Sequence, residues 1–430
     1  MQRVETDVYS ELEWRGAIHQ CTDPQLPGLL RREHFTLYCG FDPTADSLHV
    51  GGLLQLINLR RFQLAGHRPI AVIGGATGLV GDPSGKSSER ILMRKEEINA
   101  NAAGIAAQIQ RLIDLSPGTE PQAVMVNNAD WLEPIKLTDF LRDVGKHFSI
   151  NAMIGRESIR ARLEEREQGI SFTEFTYMLL QAYDFLHLFE QFGCRLQIGG
   201  SDQWGNITSG IDLIRRIRDG QAYGITSPLI EGLPGAKMGK SEKGNVWLDP
   251  SKTSPYRFYQ YWLNVEDEHV VRLLGLFTFL DKPRIEELGR LVREQPAKRE
   301  AQKVLAFEVT ALVHGAHEAE KAVRASRALF GSQIVELEEP VLLEVLSEAP
   351  SSRASRSLLS GGRSLVDLLV EVGLAESKAA ARSYISGGGV YINNVRDTDA
   401  DRMLVEDDLL LDRYLLLRRG KKSHHLVSFE

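Results

Sequence analysis

Residues Tyr38–Gly52 read YCGFDPTADSLHVGG and join an apolar strand to a helix through a short polar turn. Pro43 ends the strand, because proline lacks the N–H that a central strand must donate. His49 and two glycines, Gly51 and Gly52, stand where the next helix begins. Glycines there let a ligand approach the backbone, and a helix N-terminus favours phosphate. This stretch predicts a phosphate-binding turn, although an ordinary strand–helix connection with a surface histidine explains it equally well.

Short apolar runs alternate with longer amphipathic runs on both sides of this turn. Apolar runs at 35–39, 69–73, 123–126, 195–198 and 223–226 predict strands, and Leu53–Phe62 predicts a helix. This alternation is typical of an α/β fold with a doubly wound, mostly parallel, Rossmann-like sheet. Ligands bind such sheets beyond the carboxyl ends of the strands, so the polar segments there are the candidate site.

The remaining chain divides by composition. We expect a Rossmann-like catalytic domain over 1–232, and a glycine- and lysine-rich loop followed by an α-helical domain over 233–346. Small polar residues predict a linker over 347–361. Two amphipathic helices, a glycine turn and alternating strands predict a small α+β domain over 362–430.

Bulk properties exclude several classes of protein. The formal net charge of −7 gives no sign of a polyanionic partner, but a local basic patch suffices to bind phosphates. Cys21, Cys39 and Cys194 are far apart, which disfavours a thiolate zinc site and a disulfide framework. With no signal core and no apolar run of about 18 residues, we predict a cytoplasmic protein without a membrane span.

Two further segments carry candidate ligand-binding groups. Gly74–Ser87 follows a predicted strand and contains Asp82 and Lys86, with Arg90 just beyond, but its glycine spacing fits neither a P-loop nor a dinucleotide fingerprint. An ordinary glycine loop is the alternative. Farther on, Tyr177, Gln181 and Asp184 stand at i, i+4 and i+7 of an otherwise apolar helix, so they share one face. That polar stripe faces either a ligand pocket or a narrow solvent window.

Two basic segments complete the candidates. Lys237-Met238-Gly239-Lys240-Ser241 can close over a polyphosphate, or can be a solvated loop. Residues 411–425 are basic and strand-like, which suits contact with RNA phosphates but also a solubilising tail; their basic and aromatic members are Arg413, Tyr414, Arg418, Arg419, Lys421 and Lys422.

Taken together, these segments resemble the bacterial-type tyrosyl-tRNA synthetases, which are class I aminoacyl-tRNA ligases. The resemblance covers the whole chain and is carried by Tyr38–Gly52, Gly74–Arg90, Phe172–Asp184, Leu196–Asn206 and Lys237–Ser241. It identifies the helical region within 233–346 as the anticodon-side domain, and 362–430 as similar to an S4-type RNA-binding domain. A joint match in this order is far more specific than any single motif.

The resemblance implies a role for each matching residue. Tyr38 and Asp184 would hold the tyrosine hydroxyl. The groups around the rest of tyrosine would be Asp82, Tyr177 and Gln181 at its ammonium, with Gln197 and Gln203 lining the same pocket. ATP would contact Cys39, Asp42, Gly51, Gln55, Asp202, Leu229, Ile230 and Lys240. The catalytic set would be Thr44, His49, Lys86, Arg90, Lys237, Lys240 and Ser241, acting on the phosphates.

The same resemblance implies a tyrosine–tRNA ligase that uses ATP with Mg²⁺, binds tRNA(Tyr) and forms a homodimer, with no metal site of its own. Two positions depart from the family pattern: Gly52 replaces a polar residue and Gly239 replaces a Ser or Thr. A tryptophan-activating sister ligase and a non-catalytic RNA-binding relative stay open as alternatives. Tyr38 with Asp184 opposes the first, whereas His49 and the loop lysines oppose the second.

Overall fold

The computed structural model describes residues 7–84, 92–156, 159–160, 163, 170–230, 240–241, 244–328, 334, 337–346, 349–420 and 423–430. The chain forms two compact units. One comprises Met1–Ser254 with Tyr261–Val313, and the other comprises Pro255–Gln260 with His314–Glu430. In the described part of the chain, no helix is both long and apolar enough to cross a membrane.

A six-stranded sheet organises the described part of the first unit. Its strands are β1 (Gln20–Cys21), β2 (Thr36–Phe41), β3 (Arg68–Ile73), β4 (Val124–Asn127), β5 (Cys194–Gly200) and β6 (Tyr223–Ser227), in the spatial order β1-β6-β5-β2-β3-β4. All neighbours pair in parallel except β1, which is antiparallel to β6. The predicted mostly parallel α/β sheet is confirmed; β1 is too short to give a sequence pattern. Strand order reverses between β2 and β5, where such sheets bind ligands.

Helices cover both faces of this sheet. Before β6 they are α1 (Val8–Trp14), α2 (Leu26–Arg32), α3 (Val50–Leu64), α4 (Thr77–Val80), α5 (Lys95–Leu112), α6 (Ala129–Leu132), α7 (Leu137–Asp143), α8 (Ile150–Ile154), α9 (Phe172–Phe192) and α10 (Trp204–Arg218). A two-residue hairpin, β7 (Lys240–Ser241) with β8 (Gly244–Asn245), precedes α11 (Pro255–Leu263), α12 (Asp267–Phe277), α13 (Lys282–Glu294) and α14 (Glu300–His314). The helical character predicted after Ser254 is therefore present.

Local sequence explains the bounds of α9, which carries the candidate stripe. Ser171 caps its first turn by accepting a hydrogen bond from the Glu174 N–H, and Gly193 ends it in the left-handed conformation. Because α9 is apolar on most sides, it packs between the sheet and neighbouring helices, with Phe185 and Leu188 fully buried.

The helices described in the second unit include α15 (Ala316–Ala328), α16 (Glu339–Val345), α17 (Leu365–Glu371) and α18 (Lys378–Ser386). Its described strands are β9 (Ser351–Ala354), β10 (Arg363–Ser364), β11 (Val390–Ile392), β12 (Val395–Asp397), β13 (Met403–Leu404), β14 (Tyr414–Arg419) and β15 (Ser423–Phe429). A five-stranded sheet has the order β12-β11-β14-β15-β9, and β10 pairs with β13. The linker predicted over 347–361 is wrong at β9, which pairs in parallel with β15. An edge strand of small polar residues has the composition of a linker, and only its partner reveals it.

Two buried arginines of the first unit cap the C-terminal end of α12 by donating hydrogen bonds to its carbonyl oxygens. Arg61 Nη2 donates to the carbonyl oxygens of Gly275, Leu276 and Thr278 at 2.9, 3.0 and 2.9 Å, and Arg15 donates to two of the same carbonyls. Burial lowers the pKa of Arg61 to about 9, so the guanidinium stays charged at neutral pH. The carbonyl end of a helix attracts a cation, which compensates for the absence of a carboxylate partner of Arg61 among the described residues.

Arg61→Met is expected to lower the free energy of unfolding by about 3 kcal/mol, because buried carbonyls lose their donor. Urea unfolding followed by circular dichroism measures the effect. Arg60→Met is the matched control, since Arg60 stands on the same helix and donates to the Gln63 side chain rather than to the end of α12. Equal losses in both variants would contradict a capping role for Arg61.

Candidate active site

A cavity of about 390 Å³ opens beyond the carboxyl ends of β2 and β5. Every candidate residue for tyrosine, ATP or catalysis whose side chain the structure describes lines it: Tyr38, Cys39, Asp42, Thr44, His49, Gly51, Gln55, Asp82, Tyr177, Gln181, Asp184, Gln197, Asp202, Gln203, Leu229 and Ile230. The topological expectation for the site is therefore met. Segments far apart in sequence converge there because their strands end at one edge of the sheet.

Tyr38 and Asp184 are two buried residues of the cavity wall. Tyr38 is 1% exposed, and its hydroxyl has no hydrogen-bond partner among the described residues. Burial, and then the nearby Asp184 charge, raise the pKa of Tyr38 well above its usual value. Burial also raises the pKa of Asp184, to about 7. A neutral hydroxyl without a partner next to a carboxylate is suited to bind another hydroxyl group.

Two residues that motif comparison did not single out hold the Asp184 carboxylate. Asn128 Nδ2 donates to Oδ2 at 3.0 Å, and Trp131 Nε1 donates to Oδ1 at 2.7 Å. Asn128 is in turn fixed by accepting from the Ala76 N–H at 2.9 Å. Each donor occupies one carboxylate oxygen, so the orientation of the carboxylate is set before any ligand arrives. The position of Asn128 just after β4 is the signal that could have found it.

A network of amides and carboxylates surrounds Asp82. Gln203 Nε2 donates to Asp82 Oδ2 at 2.6 Å, while Gln181 Nε2 donates to Gln203 Oε1 at 3.1 Å. Asn206, another residue missed from sequence, donates to Gln181 Oε1 at 3.0 Å and lies 3.4 Å from Asp82 Oδ1. The network concentrates negative charge and acceptor oxygens, which suits a ligand ammonium.

Asp42 connects two neighbouring segments. It accepts hydrogen bonds from the Tyr177 hydroxyl at 2.8 Å and from Thr77 Oγ1 at 2.7 Å. A Cβ at Gly74 would lie 2.0 Å from Asp42 Oδ1, so only glycine lets the loop after β3 come this close. Tyr177 is thus held to the turn that follows β2, which explains the need for both the glycine and the carboxylate.

The His49 turn is built as the opening stretch of sequence predicts. His49 is the N-cap of α3, and its Nδ1 accepts from the Gly51 N–H at 2.9 Å. A neutral ring then carries its proton on Nε2, where it can donate to a ligand oxygen. A Cβ at Gly51 would lie 2.7 Å from His49 Cε1, and one at Gly52 would lie 3.1 Å from Leu48 Cδ2. Glycine at these positions therefore keeps the turn compact.

Backbone bonds join this turn to the segment that follows the lysine run. The Val50 N–H donates to Val246 O at 3.2 Å, and the Leu248 N–H donates to Leu48 O at 2.8 Å. The same segment continues back to β8, which pairs with Lys240 and Ser241 of β7. Two motifs separated by almost 200 positions are thus tied together through the main chain.

Another part of the cavity wall carries groups suited to bind a nucleoside. Burial raises the pKa of the Cys39 thiol to about 12, so it is a neutral, weak donor. Gln55 Oε1 and Gln197 Oε1 are buried without a partner among the described residues. A Cβ at Gly200 would lie 2.4 Å from Asp202 Oδ1 and 3.3 Å from Leu229 Cδ2, so this glycine also keeps the wall close.

Some candidates fall outside the described residues. They are Lys86, Arg90, Lys237 and, for their side chains, Lys240 and Ser241; in the basic tail they are Lys421 and Lys422. A group of residues that could together hold a metal ion, Glu266, Glu268 and His269, occurs in the described part of the chain. These three residues are not part of the cavity wall.

Comparisons with known proteins identify the family of this chain. The family model "tRNA synthetases class I (W and Y)" matches residues 30–331, and the model "Tyrosine--tRNA ligase SYY-like C-terminal domain" matches 343–427. The tyrosine–tRNA ligase of Roseiflexus castenholzii is 50% identical over 423 residues, 98% of this chain and 99% of that protein. That of Bacillus caldotenax is 51% identical over 425 residues, covering 98% of this chain and 100% of the relative.

A solved structure of a related protein also supports the fold. The C-terminally truncated mitochondrial tyrosyl-tRNA synthetase of Aspergillus nidulans is 32% identical, with a TM-score of 0.68 over 76% of this chain and 94% of that one. Both family models and the 50% identity over almost the full length of the chain lead to the same family. The chain belongs to the class I tRNA synthetases (W and Y), in the branch formed by the tyrosine–tRNA ligases.

Proposed function

We propose that this chain activates tyrosine with ATP, forming tyrosyl-adenylate and pyrophosphate, and then transfers the tyrosyl group to the 3′-terminal ribose of tRNA(Tyr). The observation that carries the amino-acid assignment is the pair Tyr38 and Asp184 in the cavity wall. A partnerless buried hydroxyl and a pre-oriented carboxylate have the chemistry to bind a phenol hydroxyl. An indole has no such group, so the pair opposes tryptophan.

The rest of tyrosine would bind along the amide network. Asp82, Tyr177 and Gln181 would hold the ammonium, and Gln197 and Gln203 would line the same space. Asp82 supplies the charge, and its bond from Gln203 Nε2 fixes the direction of one carboxylate oxygen. This arrangement would leave the tyrosine carboxylate pointing towards the His49 turn.

Activation would need no general base in this site. An α-carboxyl group titrates near about 3.5, so the carboxylate that attacks the α-phosphorus is already ionised. The barrier lies in charge that develops on the phosphates and on the leaving pyrophosphate. Preorganised donors lower such barriers, and His49 with Nδ1 already occupied presents Nε2–H. Thr44 would assist it, while Lys86, Arg90, Lys237, Lys240 and Ser241 would bind the pyrophosphate.

ATP would bind between the His49 turn and the end of β6. Cys39, Gln55 and Asp202 would contact the ribose, Leu229 and Ile230 would flank the adenine, and Gly51 would allow close approach of the backbone. Asp42 lines the same wall, but its oxygens accept from Thr77 and Tyr177, so we assign it a supporting role towards ATP. Mg²⁺ would arrive with the ATP phosphates, because it keeps several waters and needs only one or two protein carboxylates.

Amino-acid-dependent ATP–pyrophosphate exchange tests this function directly. Exchange with tyrosine and none above background with tryptophan or phenylalanine is expected. Exchange driven by tryptophan would replace the proposal with the sister activity. No exchange with any amino acid, in a protein that still binds tRNA, would favour a non-catalytic RNA-binding role.

For the RNA, we propose that the S4-like region 362–430 contacts tRNA through one row of cross-strand neighbours. Arg396, Tyr391 and Arg418 stand opposite one another on β12, β11 and β14. The Arg418 guanidinium lies 3.6 Å from the centre of the Tyr391 ring, and Arg396 donates to the Tyr391 hydroxyl at 3.1 Å. Cations arranged around an aromatic ring suit phosphate contact and base stacking. We assign the helical region within 233–346 to the anticodon side.

Arg396→Glu is expected to lower kcat/KM for tRNA charging by about tenfold and to leave tyrosine-dependent exchange unchanged. The variant replaces an exposed cation by an anion, and phosphate contacts are strongly charge-dependent. Charging and exchange are measured at one salt concentration. Arg353→Glu is the control, since Arg353 is exposed on β9 of the same sheet but lies outside this row. Equal losses in both variants would point to a general charge effect.

We further propose a cytoplasmic homodimer. Large apolar side chains are exposed on neighbouring short helices and at the start of α9, including Leu137 at 72%, Ile150 at 57% and Phe172 at 76%. Exposed apolar clusters on a soluble protein commonly mark an interface. The molar mass in solution, measured by light scattering, tests the dimer, and Leu137→Glu is expected to shift it towards the monomer.

A further inference from the structure

One donor to Asp184 stands on a weak local scaffold. Trp131, whose indole N–H donates to Asp184 Oδ1 at 2.7 Å, belongs to α6, a helix of four residues. Its N-cap residue, Asn128, makes no side-chain cap bond, and the helix contributes no buried residue. So short a helix is marginal by itself and fixes a large side chain poorly. The direction of the indole must therefore be set by what packs against the ring.

The ring that packs there is His187. Its imidazole stacks on the Trp131 indole with centroids 4.5 Å apart and an interplanar angle of 13°. His187 stands three residues after Asp184 on α9, so both side chains project from adjacent turns of one face. The long, buried α9 thus carries both the acceptor and the ring that supports its donor.

A second aromatic ring also lies near His187. Tyr183 lies 6.5 Å from it between ring centroids, and Phe140 of α7 packs edge-on against Tyr183 at 6.0 Å. Burial lowers the pKa of His187, and Glu190, the charged group that acts on it, opposes the shift. The imidazole is therefore a neutral flat ring at physiological pH, which stacks on an indole through dispersion and ring quadrupoles.

We propose that His187 is a positioning residue for recognition of the tyrosine hydroxyl: by stacking on Trp131, it holds the indole N–H on Asp184 and so fixes the carboxylate that accepts from the substrate. This inference rests on the proposed function, because it assigns that role to Asp184. It requires no contact between His187 and the substrate. A flat ring at this position is the essential feature, whereas a proton on it is not.

Three variants separate the flat ring from the imidazole. His187→Phe keeps a flat ring, His187→Leu keeps most of the volume without one, and His187→Ala removes both. We expect His187→Leu and His187→Ala to raise KM for tyrosine by about threefold to tenfold, the range that an aromatic pair contributes. Their kcat and KM for ATP should stay unchanged, and discrimination against phenylalanine should fall by a similar factor. His187→Phe should restore values near those of the unsubstituted enzyme.

The control is His317→Ala, at an exposed histidine of α15. All variants are assayed by ATP–pyrophosphate exchange after circular dichroism shows that they fold; if His187→Ala does not fold, His187→Leu decides. An unchanged KM for tyrosine in His187→Leu would overturn the inference, as would equal impairment of His187→Leu and His187→Phe. If the unsubstituted enzyme shows exchange with tyrosine, such results count against the inference alone. Absence of that exchange would instead overturn the proposed function and the inference with it.

Discussion

Asp184→Ala is expected to lower kcat/KM for tyrosine by about 10²- to 10³-fold and to change activation of phenylalanine far less. In the proposed function this carboxylate accepts from the substrate hydroxyl, and its loss also removes an acceptor from the buried Asn128 amide and from the partly buried Trp131 indole. A site built to bind a hydroxyl rejects an analogue that lacks it, because its polar groups are then unpaired. Tyrosyl-tRNA synthetase is itself the reference case, with rejection of about 10⁵-fold, a value that does not come from the distances in this structure.

Tyr38→Phe is the informative companion. Its hydroxyl has no partner among the described residues, so removing it leaves nothing unpaired in the protein without substrate. We expect a smaller loss, about tenfold, as for one neutral hydrogen bond. Activation rates of tyrosine and phenylalanine, measured by exchange, give the selectivity ratio for each variant. An unchanged ratio in Asp184→Ala would remove Asp184 from recognition of the hydroxyl.

The raised pKa of Asp184 adds a pH dependence with a definite sign. Burial raises this pKa to about 7, so the carboxyl is increasingly protonated as the pH falls below 7 and then loses acceptor capacity. We expect kcat/KM for tyrosine to fall below pH 7, since this parameter reports groups of the enzyme before substrate binds. The free energy of unfolding changes with pH in the opposite direction. The stabilisation that comes from the raised pKa of Asp184 is fully present below about pH 4 and is lost as the pH rises through 7.

Lys240→Ala is the second substitution with a large expected effect. We expect adenylate formation to slow by about 10²-fold or more, with little change in tyrosine affinity, because a cation on the leaving group acts mainly in the transition state. The backbone of Lys240 pairs with Asn245, a residue of the cavity wall, which supports a location near the phosphates. Single-turnover formation of tyrosyl-adenylate measures the rate, and equilibrium dialysis measures tyrosine binding.

Lys252→Ala is the matched control for this substitution. Lys252 lies a short distance farther along the chain, pairs with Asp46 at 2.5 Å, and is not part of the cavity wall. The Lys252→Ala enzyme should have a single-turnover rate within about twofold of that of the unsubstituted enzyme, as expected after loss of a partly exposed ion pair. A Lys240→Ala enzyme as fast as the unsubstituted one would exclude this lysine from the chemical step.

The sequence allowed the sheet and much of the cavity wall to be predicted, because both depend on patterns within one segment. The apolar runs predicted the parallel strands, and the i, i+4, i+7 spacing of Tyr177, Gln181 and Asp184 predicted a shared face. The structure turns that face towards the cavity. What spacing could not provide was the partner of each group, since Tyr177 binds Asp42 across 135 positions of sequence.

The features that sequence reasoning missed depend on contacts between distant segments. Asn128 and Trp131 have no motif of their own, and Asn206 only ends the matching run Leu196–Asn206. The role of all three follows from what they donate to. At Gly52 the sequence shows the departure from the family pattern, and the structure supplies a reason for it. A Cβ at this position would lie close to the Leu48 side chain, so the turn accommodates glycine.

The parallel pairing of β9 with β15 has a consequence for the order in which the molecule matures. Residues 355–422 lie between these neighbouring strands, so β9 has no partner while they are being synthesised. Translation proceeds at about 5–20 residues per second, so β9 waits for seconds with an unpaired edge. All segments of the first unit precede β9 in the chain. If the two units have the roles proposed above, a nascent molecule should become able to form tyrosyl-adenylate before it can bind tRNA.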